Sequence, residues 1–447
     1  MPDVLSLWQG AQQVREGQLD PAAWVNGCLE HIARLDARLH AWVLVDADEA
    51  RRTARERAVE AARGEYRGPL HGVPVGIKDI IDVAGLPTEV GSPLRKGQIA
   101  AEDAPLVARL REAGAIVLGK TVTVEFACFD PSPTRNPWDP KLRHTPGGSS
   151  SGSAVAVATG MCPGAIGTQT GGSLVRPASY CGIAALKPTF GQVSTEGIVP
   201  VSYHFDHPGP MARWVEDLAL LWQCLRQDGP TSSHGKPCPA GGLNEGRPPR
   251  LGWIEVFAEH ADATIGSVTE AALTKLREAG ATVVPVQFPE PLVHVQAQHR
   301  RIMAVEAAAY HRVSFKAYRK QYGPMISGLL DEGLSISGTD YADALAWQRQ
   351  FGPRVAELLA DCDALIAPAT DTTAPPTLET TGSNLFQAPF SCAGLPVVSL
   401  PCGLGADGMP AAVQLVGRPC REDDLLALAG WCERQFGFAV QNPWPAV

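Results

Sequence analysis

The residues from 145 to 191 are the part of the sequence best suited to chemistry, because small and hydroxyl-bearing side chains are concentrated there. The segment is TPGGSSSGSAVAVATGMCPGAIGTQTGGSLVRPASYCGIAALKPTFG. Glycine and serine at this density favour a backbone that approaches a ligand closely and turns its N–H groups toward it. A helix predicted from Ser153 to Thr159 follows the first serine cluster, and its N-terminus would add positive potential there.

Ordered motifs along most of the chain resemble the amidase signature family. Within the segment these are Gly147-Gly148-Ser149-Ser150, Gly167-Thr168-Gln169-Thr170-Gly171-Gly172-Ser173, Pro177-Ala178, Cys181-Gly182 and Lys187-Pro188. GVPVGIKD and GKT-x-x-x-EF lie upstream, and AGLPVVSLPCG and QLVGRP lie downstream. The resemblance extends from about Asp20 to the C-terminus and is weakest between about Asp228 and Asp361.

The resemblance implies an amidase that hydrolyses a carbon–nitrogen bond of linear amides without a cofactor or metal. It assigns the nucleophile to Ser173 and the bridging serine, usually held by a cis peptide, to Ser149, 24 residues earlier. The lysine of the family's G-[IV]-K-D motif falls on Lys78. Backbone N–H groups of Thr170, Gly171, Gly172 and Ser173 would form the oxyanion hole. The substrate would be a small amide that releases ammonia or an amine.

The chemistry of a serine–serine–lysine set requires an uncharged amine. A serine hydroxyl is a poor nucleophile until a base removes its proton. Lysine has an ordinary pKa of about 10.4, so bringing it near 7 takes about 3 units, or about 4 kcal/mol. Burial among Val75, Ile77 and Ile80 is the expected cause at Lys78. In an extended segment Asp79 points to the opposite face and need not hold the amine protonated.

Three positions depart from the commonest form of the family. Gln169 stands where an aspartate is frequent, Arg176 lies three rather than two residues after the nucleophile, and Ser151 replaces a frequent glycine. We hypothesise that the first two changes are linked, an amide replacing one member of a charge pair and the guanidinium being redirected. These departures concern the subfamily and substrate rather than the type of reaction.

Two pattern matches indicate other chemistries. The sequence from Gly114 to Thr121 fits the P-loop pattern, but its apolar, partly β-branched interior favours a buried strand. The sequence from Gly148 to Gly152 fits a nucleophile elbow with Ser150 as nucleophile and Asp206 and His207 as partners. A turn-like stretch precedes it instead of the strand that this motif needs, and Ser173 remains the predicted nucleophile.

Two further functions stay open beside a free-standing amidase. The family includes the A subunit of glutamyl-tRNA amidotransferase, which delivers ammonia to a partner, and that is the main alternative. A catalytically silent scaffold is the other, although Lys78, Ser149 and Ser173 are all present.

The elements around these motifs predict an α/β fold: a single large α/β/α layered domain with a central mixed, largely parallel sheet. Helices are predicted after the cap Asp20-Pro21, over about 46–63 and over 423–435. The phrase LREAGAIVLGK from Leu110 predicts a helix end, a glycine cap and a strand, and LREAGATVVPV from Leu276 repeats it. Core strands are also predicted near Gly72 and from Cys362, Pro396 and Ala411.

We predict one amidase domain over residues 1–447, divided by composition. Residues 1–66 form an N-terminal helical segment, 67–227 the catalytic core, and 228–250 an excursion rich in Pro, Gly and Ser. Residues 251–385 would determine the substrate, and 386–447 would add core strands and a helix. Candidate pocket residues in the substrate region are Arg300, Arg301, Tyr310, Tyr318, Tyr341 and Trp347.

Composition excludes several classes of function. Hydrophobic residues make up 45% of the 447 residues and charged residues 19%, which suits a folded core rather than disorder. A net charge of −9 with scattered basic residues argues against binding of nucleic acid by this chain alone. No secretory signal or membrane span is predicted. The eleven scattered cysteines indicate reduced thiols and a cytoplasmic location, and a homodimer is a common outcome for such a protein.

Overall fold

The strands of the protein form one mixed sheet. The computed structural model describes residues 5–227 and 248–438. Its strands are β1 (Trp42–Val45), β2 (Pro74–Lys78), β3 (Ile116–Thr121), β4 (Gly164–Gln169), β5 (Ala184–Lys187), β6 (His207–Ala212), β7 (Arg250–Ile254), β8 (Thr282–Val286), β9 (Ala364–Pro368), β10 (Val397–Leu404) and β11 (Pro410–Val416). All eleven strands in these two ranges belong to one sheet, in the order β1-β3-β2-β4-β6-β5-β10-β11-β9-β7-β8.

Helices pack around this sheet. They are α1 (Leu7–Arg15), α2 (Pro21–Leu39), α3 (Ala47–Ala62), α4 (Pro105–Glu112), α5 (Ser151–Ala158), α6 (Val175–Cys181), α7 (Val215–Leu225), α8 (Glu255–His260), α9 (Ala263–Glu278), α10 (Leu292–Tyr318), α11 (Pro324–Ser335), α12 (Gly338–Glu357), α13 (Ala388–Cys392) and α14 (Glu422–Phe436). Short 3₁₀ helices cover Pro93–Arg95, Glu125–Ala127 and Arg319–Gln321. The predicted excursion at 228–250 lies outside the described residues except for its last three positions.

The predicted α/β class and mixed sheet are confirmed, but the expectation of largely parallel pairing is wrong. β2 pairs in parallel with β3 and β4, and β7 pairs in parallel with β8 and β9. The other six neighbouring pairs are antiparallel. One physical reason is the five-residue connection from 405 to 409, which is too short for a parallel crossover and makes β10 and β11 a hairpin.

The predicted helices and strands lie where the sequence placed them. Asp20 caps α2 by accepting the N–H of Ala22 at 2.7 Å. The repeated LREAG phrase gives the same structure twice, α4 followed by β3 and α9 followed by β8. Gly114 and Gly280 follow the two helices with φ of +95° and +97°, a conformation that a residue with a Cβ rarely adopts.

The core is divided between the two faces of the sheet. Ile116 and Leu118 of β3 belong to one buried cluster, and Val117 between them belongs to the other. Ala165 and Ile166 of β4 alternate in the same way. Because successive strand side chains point to opposite faces, the two clusters lie on opposite sides of the sheet, as a layered α/β/α arrangement requires.

The ends of β2 and β4 bring the predicted catalytic motifs together. These strands are parallel neighbours, with Ile77 opposite Ile166. Lys78 is the last residue of β2, and Gln169 is the last residue of β4. Carboxyl ends of adjacent parallel strands meet at one edge of a sheet, where open α/β folds commonly bind ligands. Helices α5 and α6 begin at this edge, directly after the two serine motifs.

The structure bears on two expectations, the state of the cysteines and the presence of membrane-spanning helices. Nine cysteines in the described ranges carry free, buried thiols, whereas Cys420 is disulfide-bonded, so the prediction of reduced thiols is wrong at that position. Among the described helices, none combines the length and apolar character that crossing a bilayer requires.

Candidate active site

Lys78 lies at the centre of the site with its amine held between two hydroxyl groups. The side chain is fully buried. Nζ lies 2.7 Å from Oγ of Ser149 and 2.7 Å from Oγ1 of Thr168. Both partners can accept or donate a hydrogen bond, so they can serve the charged and the neutral amine.

Burial lowers the pKa of Lys78 to about 7. Loss of hydration is the main cause, and the nearby Asp206 carboxylate opposes it. The change corresponds to about 5 kcal/mol against the charged amine. Asp79 does not contribute a contact, because its Oδ1 lies 3.0 Å from Nζ of Lys120. The expectation that Asp79 faces away from Lys78 therefore agrees with the structure.

Ser149 is positioned by its backbone. The Gly148–Ser149 peptide is cis, as the family resemblance implied. Its carbonyl, on Gly148, accepts a hydrogen bond of 2.7 Å from the guanidinium of Arg176. The same guanidinium donates to Gly382 O at 3.0 Å and to Thr381 Oγ1 at 3.2 Å. The buried Arg176 side chain thus connects the serine motif to the loop around 381–382. Burial lowers the pKa of its guanidinium to about 10.

The turn from β4 into α6 directs a row of N–H groups to one side. We call residues 170–173 the oxyanion loop, after the role that the sequence predicts for them. Thr170 O accepts from Nε2 of His299 at 3.1 Å, Gly171 O accepts from Oγ of Ser391 at 2.9 Å, and Gly172 O accepts from Arg176 N at 2.9 Å. In a trans peptide the next N–H points opposite to the carbonyl. Within the described ranges the N–H groups of Gly171, Gly172 and Ser173 donate to no protein acceptor.

Gln169 fixes the two ends of the oxyanion loop. Its side-chain oxygen accepts the N–H groups of Leu174 and Val175, each at 3.0 Å. Its amide nitrogen donates to Oγ of Ser391 at 3.1 Å. Gln169 and Arg176 therefore have separate partners and share no hydrogen bond, so the hypothesis that these two departures form a linked pair receives no structural support. Ser151, the third departure, contacts Oγ of Ser132 at 2.8 Å.

A small pocket opens onto both serines. Its cavity measures about 20 Å³, room for about one water molecule. Ser149, Ser173, Arg176 and the rest of the oxyanion loop form its polar wall. Its apolar wall includes Val124, Phe129, Val201 and Met303. The structure thus places Ser149 and Ser173 on one pocket, and Lys78 contacts Ser149 without lining the pocket. No hydrogen bond joins the two serines in the described residues.

The two competing motifs have structural roles in the described residues. The P-loop-like segment is the buried strand β3, and its Lys120 pairs with Asp79. Ser150 donates from Oγ to Thr168 O at 3.1 Å. His207 is buried with Nδ1 against Phe205 O. Ser150 and His207 therefore use their hydrogen bonds on backbone groups, which gives no support to the nucleophile-elbow hypothesis.

Several functional neighbours were missed by sequence reasoning. The sequence motif contains Thr168 but assigns it no role, and the sequence indicates Asp206 only as a partner in the rival triad. His299 and Ser391 lie 129 and 220 residues from their loop partners in sequence, and nothing local identifies them. Their contacts follow from the packing of α10 and α13 against the oxyanion loop.

The six candidate substrate residues do not line the catalytic pocket. The residues of the region 251–385 that do line this pocket are Met303, Thr381 and Asn384. Arg300 pairs with Glu332, and Arg301 contacts Gln298. Tyr341 donates to Glu306 at 2.7 Å, and Trp347 stacks on Phe351. Tyr310 and Tyr318 are exposed.

Comparisons with known proteins agree across nearly the whole chain. The profile of the family described as Amidase matches residues 23–426. An amidase of Pseudomonas putida is 36% identical, over 94% of each chain. The A subunit of the glutamyl-tRNA(Gln) amidotransferase of Anaeromyxobacter sp. (strain K) is 34% identical, over 99% of this chain and 98% of that protein. The native peptide amidase of Stenotrophomonas maltophilia has a similar structure, with a TM-score of 0.85, 32% identity and 98% of each chain covered.

Proposed function

The chain belongs to the amidase signature family, and from this membership we propose that it hydrolyses the carbon–nitrogen bond of a linear amide through an acyl-enzyme on Ser173. The observation that supports the proposal is the position of the Lys78 amine. The side chain is fully buried, and its Nζ lies 2.7 Å from Oγ of Ser149. Ser149 in turn lines the same pocket as Ser173. An amine with a pKa of about 7 is available as a base at neutral pH.

Acylation begins when Oγ of Ser173 attacks the amide carbonyl carbon. The Ser173 proton passes to Oγ of Ser149, and the Ser149 proton passes to Nζ of Lys78. Thr168 assists because it accepts one N–H of the neutral amine, which leaves the nitrogen lone pair for Ser149. The oxygen of the tetrahedral intermediate becomes negative and is stabilised by the unpaired N–H groups of the oxyanion loop.

Collapse of this intermediate breaks the carbon–nitrogen bond. The proton held on Lys78 returns through Ser149 to the departing nitrogen, so ammonia or a neutral amine leaves instead of an amine anion. Water then attacks the Ser173 ester, gives its proton to the same relay, and releases the carboxylic acid and the free serine.

A second candidate is an ammonia-delivering subunit. The relative from Anaeromyxobacter is the A subunit of an amidotransferase, and it covers nearly the whole chain. Such a subunit would hydrolyse an amide efficiently only when its partners are present. Robust hydrolysis by the purified chain alone supports the free-standing amidase, whereas hydrolysis that depends on added amidotransferase subunits supports the alternative.

The test is an amide panel read by release of ammonia or amine, run beside Ser173→Ala. The panel includes aliphatic, aryl and amino-acid amides and one cyclic amide, so that the preference for linear substrates is tested as well. We expect Ser173→Ala to lose hydrolysis and covalent labelling by a fluorophosphonate. Ser150→Ala is the matched control and should keep the labelling. Labelling that survives in Ser173→Ala, or is lost only in Ser150→Ala, would refute the assignment of the nucleophile.

A further inference from the structure

Asp206 contacts the side chain of Thr170, whereas His299 contacts its carbonyl oxygen. Oδ1 of Asp206 accepts from Oγ1 of Thr170 at 2.6 Å. Its Oδ2 accepts the N–H groups of Val201 and Ser202 at 2.8 and 3.1 Å. The carboxylate has no cationic partner within ion-pair distance among the described residues. The hydrogen bonds of Asp206 therefore connect Thr170 to the segment 201–206, and the carboxylate takes part in no salt bridge among the described residues.

Asp206 and Lys78 are connected through two threonines of one short segment. Thr168 is on β4, Thr170 lies just beyond the end of that strand, and both line one small cavity together with Asp206. Thr168 contacts Lys78, and Thr170 contacts Asp206. Two residues of extended chain span about 7 Å, so the amine and the carboxylate lie within effective Coulomb range across partly buried protein.

The charges around Asp206 come from several elements. Lys78 at the end of β2 is the cation, and Asp206 favours its charged form. Cys128, whose thiol is kept protonated by burial, faces both groups from the loop after β3. Burial is the main cause that raises the pKa of Asp206, to about 6, and Glu306 on α10, the other nearby acid, adds to it. Asp206 and Lys78 therefore change their charge in neighbouring pH ranges.

We propose that Asp206 is a positioning residue of the catalytic centre, which fixes the start of the oxyanion loop through Thr170 and sets the charge balance of Lys78 through space. This inference rests on the proposed function, because both effects act on the Ser173 reaction. The carboxylate of Asp206 thus has two roles. Its hydrogen bond fixes the position of Thr170, and its negative charge opposes the lowering of the Lys78 pKa, so that the amine stays basic enough to accept a proton.

The test measures the rate of Ser173 labelling by a fluorophosphonate between pH 5 and 9, which needs no knowledge of the substrate. In the wild type the rate should rise with pH as Lys78 loses its proton. Asp206→Asn removes the charge, so the neutral amine is favoured and the rise should move to lower pH by about 1 unit. Asp206→Ser removes the charge with a smaller side chain and should give the same displacement, should the Asn variant fail to fold.

Thr170→Val separates the two roles. It removes the hydrogen bond and leaves the carboxyl group, which is ionised at the high-pH end of the range, so the labelling rate on the high-pH plateau should fall about tenfold. Asp217→Asn is the matched control, because Asp217 is another buried carboxylate that accepts backbone N–H groups, on α7. Asp217→Asn should change neither the rate of Ser173 labelling nor the pH at which that rate rises.

The outcomes distinguish this inference from the proposed function. A wild type that is labelled at Ser173, with both Asp206 variants rising at the wild-type pH, overturns the charge role of Asp206. An unchanged rate in Thr170→Val overturns the positioning role. A wild type that is not labelled, or that is labelled equally after Ser173→Ala, overturns the proposed function itself.

Discussion

At the residue scale, three buried lysines show which surroundings suit a relay of protons. Lys120 pairs with the carboxylate of Asp79 at 3.0 Å, an arrangement that favours the charged amine. Lys187 donates to the carbonyl oxygens of Pro188 and Leu395, which accept hydrogen bonds but have no proton to give. Lys78 alone among these three contacts two hydroxyl groups. Lys120 also contacts one hydroxyl, Oγ1 of Thr88 at 3.0 Å, but its ion pair with Asp79 favours the charged amine, which cannot act as a base. A hydroxyl can accept one proton and release another, so an amine that contacts hydroxyls and has no carboxylate in contact is suited to pass a proton onward.

The charge of Lys78 predicts how activity depends on pH. Burial lowers its pKa to about 7, and the relay needs the neutral amine. Activity should therefore rise with pH through about 7 and level off above it. Lys78→Arg should abolish activity at every pH, because a guanidinium stays protonated. Initial rates on the best amide of the panel, measured as kcat/KM between pH 5 and 9, test both statements.

The control for this prediction is Lys96→Arg, because Lys96 is exposed and belongs to none of the motifs. It should keep the wild-type pH profile. Activity that is constant from pH 5 to 9, or an active Lys78→Arg enzyme, would show that this amine is not the base.

At the element scale, the turn between β4 and α6 is shaped by partners that lie far away in sequence. The motif itself could be recognised, and so could the strands that carry Lys78 and Gln169 to one sheet edge. The anchors His299 and Ser391 could not, because a single histidine on a long helix and a serine near a glycine give no local signal. Their role depends on how α10 and α13 pack, which the sequence pattern does not specify.

Gly172 tests whether the shape of this turn matters. A Cβ at Gly172 would lie 2.4 Å from Oε1 of Gln387, whose amide nitrogen is bonded to Ala369 O. Gly172→Ala must therefore displace the loop or Gln387, and misdirected N–H groups would stabilise the oxyanion less. We expect a folded variant whose kcat is lower by about 100-fold. Steady-state kinetics with circular dichroism as a check of folding provide the measurement.

Gly266→Ala is the matched control, because nothing lies within 4 Å of a Cβ at that helical position. It should keep full activity and gain slightly in stability. Wild-type kcat in Gly172→Ala would mean that the loop tolerates the side chain and that its present shape is not required.

At the scale of the whole molecule, local patterns predicted the elements better than their pairing. The class, the main helices and the strands were predictable because periodicity and caps are local. The excess of antiparallel pairs was not, since strand order depends on long-range packing. The same limit explains the substrate region: the packing of α10 turns Met303 into the pocket, while Arg300 reaches Glu332 on α11. A list of polar and aromatic residues cannot tell which face of a helix will meet the site.

Away from the site, the protonation of the Asp217 carboxyl group affects the free energy of unfolding. Its Oδ1 accepts the N–H of Trp8 at 2.8 Å, joining α1 to α7, and its Oδ2 has no partner in the described residues. Burial, with smaller contributions from Glu216 and Glu433, raises its pKa to about 7. The folded state thus holds this proton more tightly than the unfolded chain, whose aspartates have a pKa of about 3.9.

The sign of this linkage predicts the behaviour of Asp217→Asn. The stability that comes from the bound proton is complete below about pH 4 and is lost as pH rises through 7. Asparagine keeps the acceptor for Trp8 and cannot ionise. The free energy of unfolding of the variant should therefore increase relative to that of the wild type as pH rises from 5 to 8, by at most about 3 kcal/mol. Urea unfolding at several pH values measures the difference, with exposed Asp343→Asn as control. A difference between Asp217→Asn and wild type that is the same at pH 5 and pH 8 would show that Asp217 does not change its protonation on folding, because only a group with unequal proton affinity in the two states makes stability depend on pH.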